Sequence, residues 1–145
     1  MTPTPKAPRR ILVVCLGNYC RSPLAEHVLA ELGGSAVEVR SAGLIDKWAG
    51  AHPEMVAAAA ALGFDLTRHR PAQVSRELID WADLVLAMDL SVLDRLRGFV
   101  APDGNTKVRL YLDHGRDVPD PMGHSAKEFA ACALIINTGA AYHLR

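Results

Sequence analysis

The sequence predicts a single-domain α/β fold: a four-stranded parallel sheet with helices on both faces and a phosphate-binding loop after the first strand. Three observations carry this. Four short apolar, β-rich runs alternate with helical patterns, the order that gives a parallel sheet covered on both sides. The first run, Ile11-Leu12-Val13-Val14, passes straight into Cys15-Leu16-Gly17-Asn18-Tyr19-Cys20-Arg21-Ser22-Pro23, which reads as a strand-to-helix turn. At 145 residues, half of them apolar, the chain suits one full core, with no internal repeat or second domain visible.

Taken in order, strands are expected over 11–15, 37–41, 84–88 and 108–112. The first helix carries Leu24, Ala25, Val28, Leu29 and Leu32 on one face and stops at Gly33-Gly34, with Ser22 expected at its N-cap and Pro23 at its first position. Further helices are expected over 53–62, 76–81, 91–97 and 126–144, the alanine run 57–61 being ordinary helix filling. The Pro-rich, basic stretch 1–9 reads as a disordered tail ahead of a domain over 10–145.

In folds of this class ligands bind beyond the carboxyl ends of the strands, where the first strand delivers Cys15. The turn after it aims free backbone N–H groups and the positive end of a helix dipole at one spot, an anion site with a sulfur beneath it. A cysteine at a helix N-terminus or beside a cation ionises more readily than a free one, and Cys15 has both influences, the cation being Arg21. The planar fork of Arg21 can grip two phosphate oxygens at once. Gly17 and Asn18 tolerate the left-handed backbone that a tight cradle demands, and Ser22 has a hydroxyl to offer the thiolate as well as the helix cap. The chemistry implied is in-line attack by Cys15 on a phosphomonoester, giving a phosphocysteine.

Such a nucleophile needs a proton donor for its leaving group. Val118-Pro119-Asp120-Pro121-Met122 clamps a carboxylate between two prolines, which hold the loop at little further entropic cost. Burial or the charge of a bound phosphate would favour the protonated acid. On spacing alone Asp120 reads equally well as an ordinary turn aspartate. Cys20 likewise reads as a packing residue or as a disulfide partner that shelters Cys15 from over-oxidation.

With these residues the chain resembles the low-molecular-weight protein tyrosine phosphatases along nearly its whole length. Besides 15–23, the similar segments are Ser41-Ala42-Gly43, Trp48 and Gly50, His69-Arg70, the run 83–89 and Asp120-Pro121. The resemblance implies Cys15 as nucleophile, Arg21 as phosphate clamp and Asp120 as general acid. It implies that Asn18, Ser22, Ser41 and His69 form a hydrogen-bonded support for the loop, and that Leu16, Tyr19 and Trp48 wall the slot for the phosphoaryl ring. It also implies the protective role for Cys20. Two departures stand out: Met122-Gly123 follows Asp120-Pro121 where aromatic residues are common, and Tyr19 replaces a usual aliphatic residue.

Composition narrows the partners. Sixteen basic and sixteen acidic residues balance, and no Lys/Arg tract points to nucleic acid. No run approaches the ~18–20 apolar residues of a membrane span. Three cysteines, one needed as a thiolate, suit a reducing cytoplasm. Neither metal nor cofactor is expected: Cys20 lacks zinc-type spacing, Asp113, His114 and Asp117 read as a solvated loop, and Cys132 reads as core. The expected partners are a phosphotyrosine protein, a phosphate or other oxyanion in the loop, and a tyrosine kinase acting on the same substrate. Alternatives are a thiol-coupled arsenate reductase, for which Cys132 alone makes an incomplete relay, and a non-tyrosine phosphomonoesterase. A third is a module that binds phosphorylated ligands without turnover.

Overall fold

The computed structural model describes residues 7–100, 106–112 and 115–144. Its sheet is four-stranded and parallel, in the order β2-β1-β3-β4, from β1 (Arg9–Cys15), β2 (Val37–Gly43), β3 (Leu84–Ala87) and β4 (Val108–Leu110). The helices are α1 (Arg21–Gly33), α2 (Pro53–Ala61), α3 (Arg76–Trp81), α4 (Leu90–Arg97) and α5 (Ala126–Gly139). The strand alternation dictated by the pleat divides the core in two. Ile11, Val13 and Cys15 join a cluster with α1, α2 and α5, whereas Leu12 and Val14 join one with α3 and α4. Central β1 is therefore buried on both faces, as its unbroken apolar run requires.

The structure adjusts several expected boundaries. Arg9, assigned to the tail by the sequence, already pairs with Val37 in β1. Residues 1–6 of that tail, and Asp113 and His114, lie outside the described residues. The last helix ends at Gly139 and tightens into a 3-10 segment, Ala140–Leu144. There the Nε2 of His143 meets the carbonyl of Tyr111 at 2.5 Å, and Arg9 donates to the His143 carbonyl at 2.7 Å. The first helix begins at Arg21 with Cys20 in the cap position and no side chain capping it. Ser22, expected as the cap, lies inside the first turn because its hydroxyl is engaged by the loop.

The strand ends bring the functional segments together. Cys15 lies in register with Gly43, and β3 runs through Met88 into Asp89, which caps α4 by accepting from the Val92 N–H at 2.9 Å. The chain leaving β4 returns to this edge when the Val118 N–H donates to the Met88 carbonyl at 2.8 Å. Among the described residues no helix is long and apolar enough to cross a membrane.

Candidate active site

The loop between β1 and α1 closes around the Cys15 sulfur, whose residue is only 3% exposed. Close approach of two backbones makes this possible. A Cβ on Gly43 would lie 2.5 Å from the Gly17 carbonyl carbon and 2.6 Å from the Asn18 nitrogen, so glycine is required where β2 passes beneath the loop. Asn18 adopts φ 51°, a left-handed conformation that costs most residues roughly 1–2 kcal/mol. Three hydrogen bonds hold it there. Its Oδ1 accepts from the Ala72 N–H at 2.9 Å, its carbonyl from His69 Nε2 at 2.7 Å, and its Nδ2 donates to Ser22 Oγ at 2.8 Å. The Ser22 oxygen that accepts from Asn18 also lies 3.0 Å from the Cys15 sulfur, within hydrogen-bond reach.

Arg21 starts α1 and is 3% exposed. Its Nη1 donates to Asp89 Oδ2 at 2.9 Å and to the Val118 carbonyl at 2.8 Å. Both hydrogens of that nitrogen are thereby committed, leaving Nε and Nη2 to form a fork for two oxyanion atoms. Burial opposes the guanidinium charge, but Cys15, the bonded Asp89 and Asp120 outweigh it, and its pKa lies above the ordinary value. The guanidinium is permanently charged. Cys20 is the opposite case: burial, then the neighbouring Cys132, Cys15 and Asp120, push its thiol far up, so it stays protonated.

Asp120 stands at the rim with its Oδ2 4.0 Å from Arg21 Nη2 and its side chain 46% exposed. Its carboxyl is open to solvent and not buried. The loop carrying it is pinned: Asp117 Oδ1 accepts from the Leu90 N–H at 2.9 Å, and Asp120 Oδ1 from the Met122 N–H at 3.1 Å.

On the other side Tyr19 and Trp48 stack at 4.6 Å between centroids and 5° between planes, and Trp48 lies against Gly17, where any Cβ would strike its ring. Tyr19 leans in turn on His52, and His52 on the core residue Phe129. Leu16 is exposed beside this wall.

Of the residues singled out in the sequence, Cys15 through Ser22, Trp48, His69 and Asp120 converge on one edge. Ser41 does not take the expected place in the loop's support. Its hydroxyl donates to Glu26 of α1, which tethers the helix to β2. The sequence reading missed Asp89 and the Val118 carbonyl. An aspartate between a buried strand and an apolar-periodic helix was the available signal for Asp89. Among the described residues no cluster of three or more His, Cys, Asp or Glu is placed to hold a metal ion.

A family model described as low molecular weight phosphotyrosine protein phosphatase matches residues 10–144. The low molecular weight protein-tyrosine-phosphatase Wzb of Escherichia coli K12 is 38% identical over 135 residues, which is 90% of this chain and 89% of Wzb. A protein-arginine-phosphatase of Geobacillus stearothermophilus is 35% identical over 130 residues, 86% of each chain. Among solved structures, Vibrio vulnificus Wzb in complex with benzylphosphonate superposes with a TM-score of 0.83 at 30% identity, covering 94% of this chain and 97% of that one.

Proposed function

The chain belongs to the low-molecular-weight phosphotyrosine protein phosphatase family, and we propose that it hydrolyses phosphotyrosine in proteins through a phosphocysteine on Cys15. The observation that carries this reading is the Cys15 sulfur, buried under the loop with the Ser22 hydroxyl at 3.0 Å and the charged Arg21 as its neighbour. The thiolate attacks phosphorus in line and the P–O bond to the phenol breaks. Asp120 gives its proton to the departing oxygen, while Arg21 and the loop amides hold the equatorial oxygens. The Asp120 carboxylate then takes a proton from a water that attacks the phosphocysteine, releasing inorganic phosphate and the thiolate.

The stacked Tyr19–Trp48 pair supports an aryl substrate, since a flat ring can lie against a flat, braced surface. By the resemblance, Met122 would offer a soft thioether to the other wall of the slot. The arginine-phosphatase relative makes phosphoarginine hydrolysis the second reading; the bulk of the aromatic pair beside the loop weighs against it. Three free thiols, Cys15, Cys20 and Cys132, suit a cytoplasmic setting. There a Cys15–Cys20 disulfide would protect the nucleophile reversibly, and a tyrosine kinase would supply the substrate.

The test is phosphate release from para-nitrophenyl phosphate, a phosphotyrosine peptide and a phosphoarginine peptide by wild type and Cys15→Ser under reducing conditions. Turnover of the first two by wild type alone is expected. Failure of wild type on every substrate while phosphate still binds would replace this reading with that of a binding module.

A further inference from the structure

Asp120 is flanked by Pro119 and Pro121, and neither has an N–H to give. The two prolines can therefore anchor the loop only through their carbonyls. The Pro121 carbonyl is taken locally, accepting from the His124 N–H at 2.9 Å. The Pro119 carbonyl accepts from the Cys132 thiol at 3.5 Å. Among the described residues this is the one hydrogen bond that ties the backbone of residues 119–121 to another secondary element, here α5. The other anchors of the loop lie earlier in the chain, at Asp117 and Val118, and reach α4, Arg21 and the Met88 carbonyl.

We propose that Cys132 is a positioning residue for the general acid: its thiol, donated from α5 to the Pro119 carbonyl, sets the reach of Asp120 toward the leaving-group oxygen. The proposal rests on the phosphatase reading above. Cys132 is 2% exposed and sits in the same core cluster as Cys15 and Cys20, below the loop and not at the surface. Burial pushes its pKa up to about 12, so the thiol keeps its hydrogen throughout the working range and adds no charge beside Asp120. A thiol is a weak donor, but it need only select one loop position. Because proton transfer demands heavy-atom distances of about 2.6–3.2 Å, even a small drift of the carboxyl reduces catalysis.

A residue acting through the acid shows itself in the leaving group. A nitrophenolate departs with little help, whereas the phenolate of tyrosine, with a pKa of about 10, needs the proton. The experiment compares kcat/KM, which reports the first P–O cleavage, for para-nitrophenyl phosphate and phosphotyrosine in wild type, Cys132→Ala and Cys132→Ser. Cys132→Ala is expected to lower kcat/KM on phosphotyrosine by about three- to tenfold, the size of one lost hydrogen bond, with a much smaller change on para-nitrophenyl phosphate. Cys132→Ser retains a donor and is expected to restore the phosphotyrosine rate. Equal losses on both substrates, no loss on either, or a serine variant as impaired as the alanine one would overturn the assignment and leave the phosphatase reading standing. A wild type inactive on both esters would overturn the phosphatase reading itself, and this inference with it.

Discussion

Arg21 Nη1 and Asp89 Oδ2 lie 2.9 Å apart, with only 4% and 19% of their side chains exposed. The pair joins the start of α1 to the start of α4, two elements 68 residues apart in sequence. Asp89 divides its carboxylate between two tasks, one oxygen capping α4 and the other aiming the guanidinium. Asp89→Asn keeps an equally good cap but removes the charge and sets an NH2 donor where the guanidinium needs an acceptor. It should leave Arg21 buried with one partner fewer, at a cost of about 3 kcal/mol in unfolding free energy. The fork should also swing, raising both KM and the inhibition constant of inorganic phosphate about tenfold or more. Urea unfolding and phosphate inhibition measure the two effects; a variant that matches wild type in both would remove Asp89 from the clamp.

Among the described residues, Asp120 approaches the cradle through Arg21 at 4.0 Å and is half exposed. Its substitution by Asn should therefore spare the fold. The expected loss is roughly 10²–10⁴-fold in kcat on phosphotyrosine, the usual weight of general acid–base catalysis, with an unchanged melting temperature. Wild-type turnover in Asp120→Asn would assign the proton to another group.

Gly43 is a sharper structural test because the atoms it would strike are backbone. Gly43→Ala places a carbon within 2.6 Å of Gly17 and Asn18, and neither can retreat without opening the phosphate cradle. The expected result is a stability loss of about 1–3 kcal/mol, typical of overpacking, together with a larger proportional loss of kcat/KM. Crystals of Gly43→Ala with an undistorted loop, or an unimpaired rate, would contradict this account of the turn.

How far the sequence discloses this molecule depends on the range of the interaction. The strands and helices follow from apolar periodicity, and the cradle from a nine-residue stretch, because each is a local property. The misplacement of Ser22 has a local cause too. Ser-Pro is good cap chemistry, but a hydroxyl held by Asn18 and set against Cys15 is not available to cap, and the helix starts two residues earlier. Ser41 and Glu26, Arg21 and Asp89, and Cys132 and Pro119 are tertiary pairs whose members carry no mutual signal in sequence. Only the sheet order β2-β1-β3-β4 brings their elements to one edge.

The buried acids of this edge and its core make stability fall in alkali. Burial raises the pKa of Cys20, of Cys132 to about 12, and of Tyr111, whose hydroxyl donates to the Ile136 carbonyl at 2.6 Å. In the unfolded chain these groups titrate near ~8.5 for Cys and ~10 for Tyr. Because each folded pKa lies above the unfolded one, the unfolded state releases protons first as pH rises. The contribution is complete below about pH 8.5 and is lost progressively above it, by about 1.4 kcal/mol per pH unit for each group that has ionised only when unfolded. Unfolding free energy measured from pH 7 to 10.5 should hold level and then decline with a slope approaching that of two cysteines, steepening near pH 10 as Tyr111 joins. Tyr111→Phe should lose the steepening but not the earlier decline, and Cys20→Ala should reduce the earlier slope by about half. A stability profile level to pH 10.5 in wild type would mean that these groups ionise without unfolding the core.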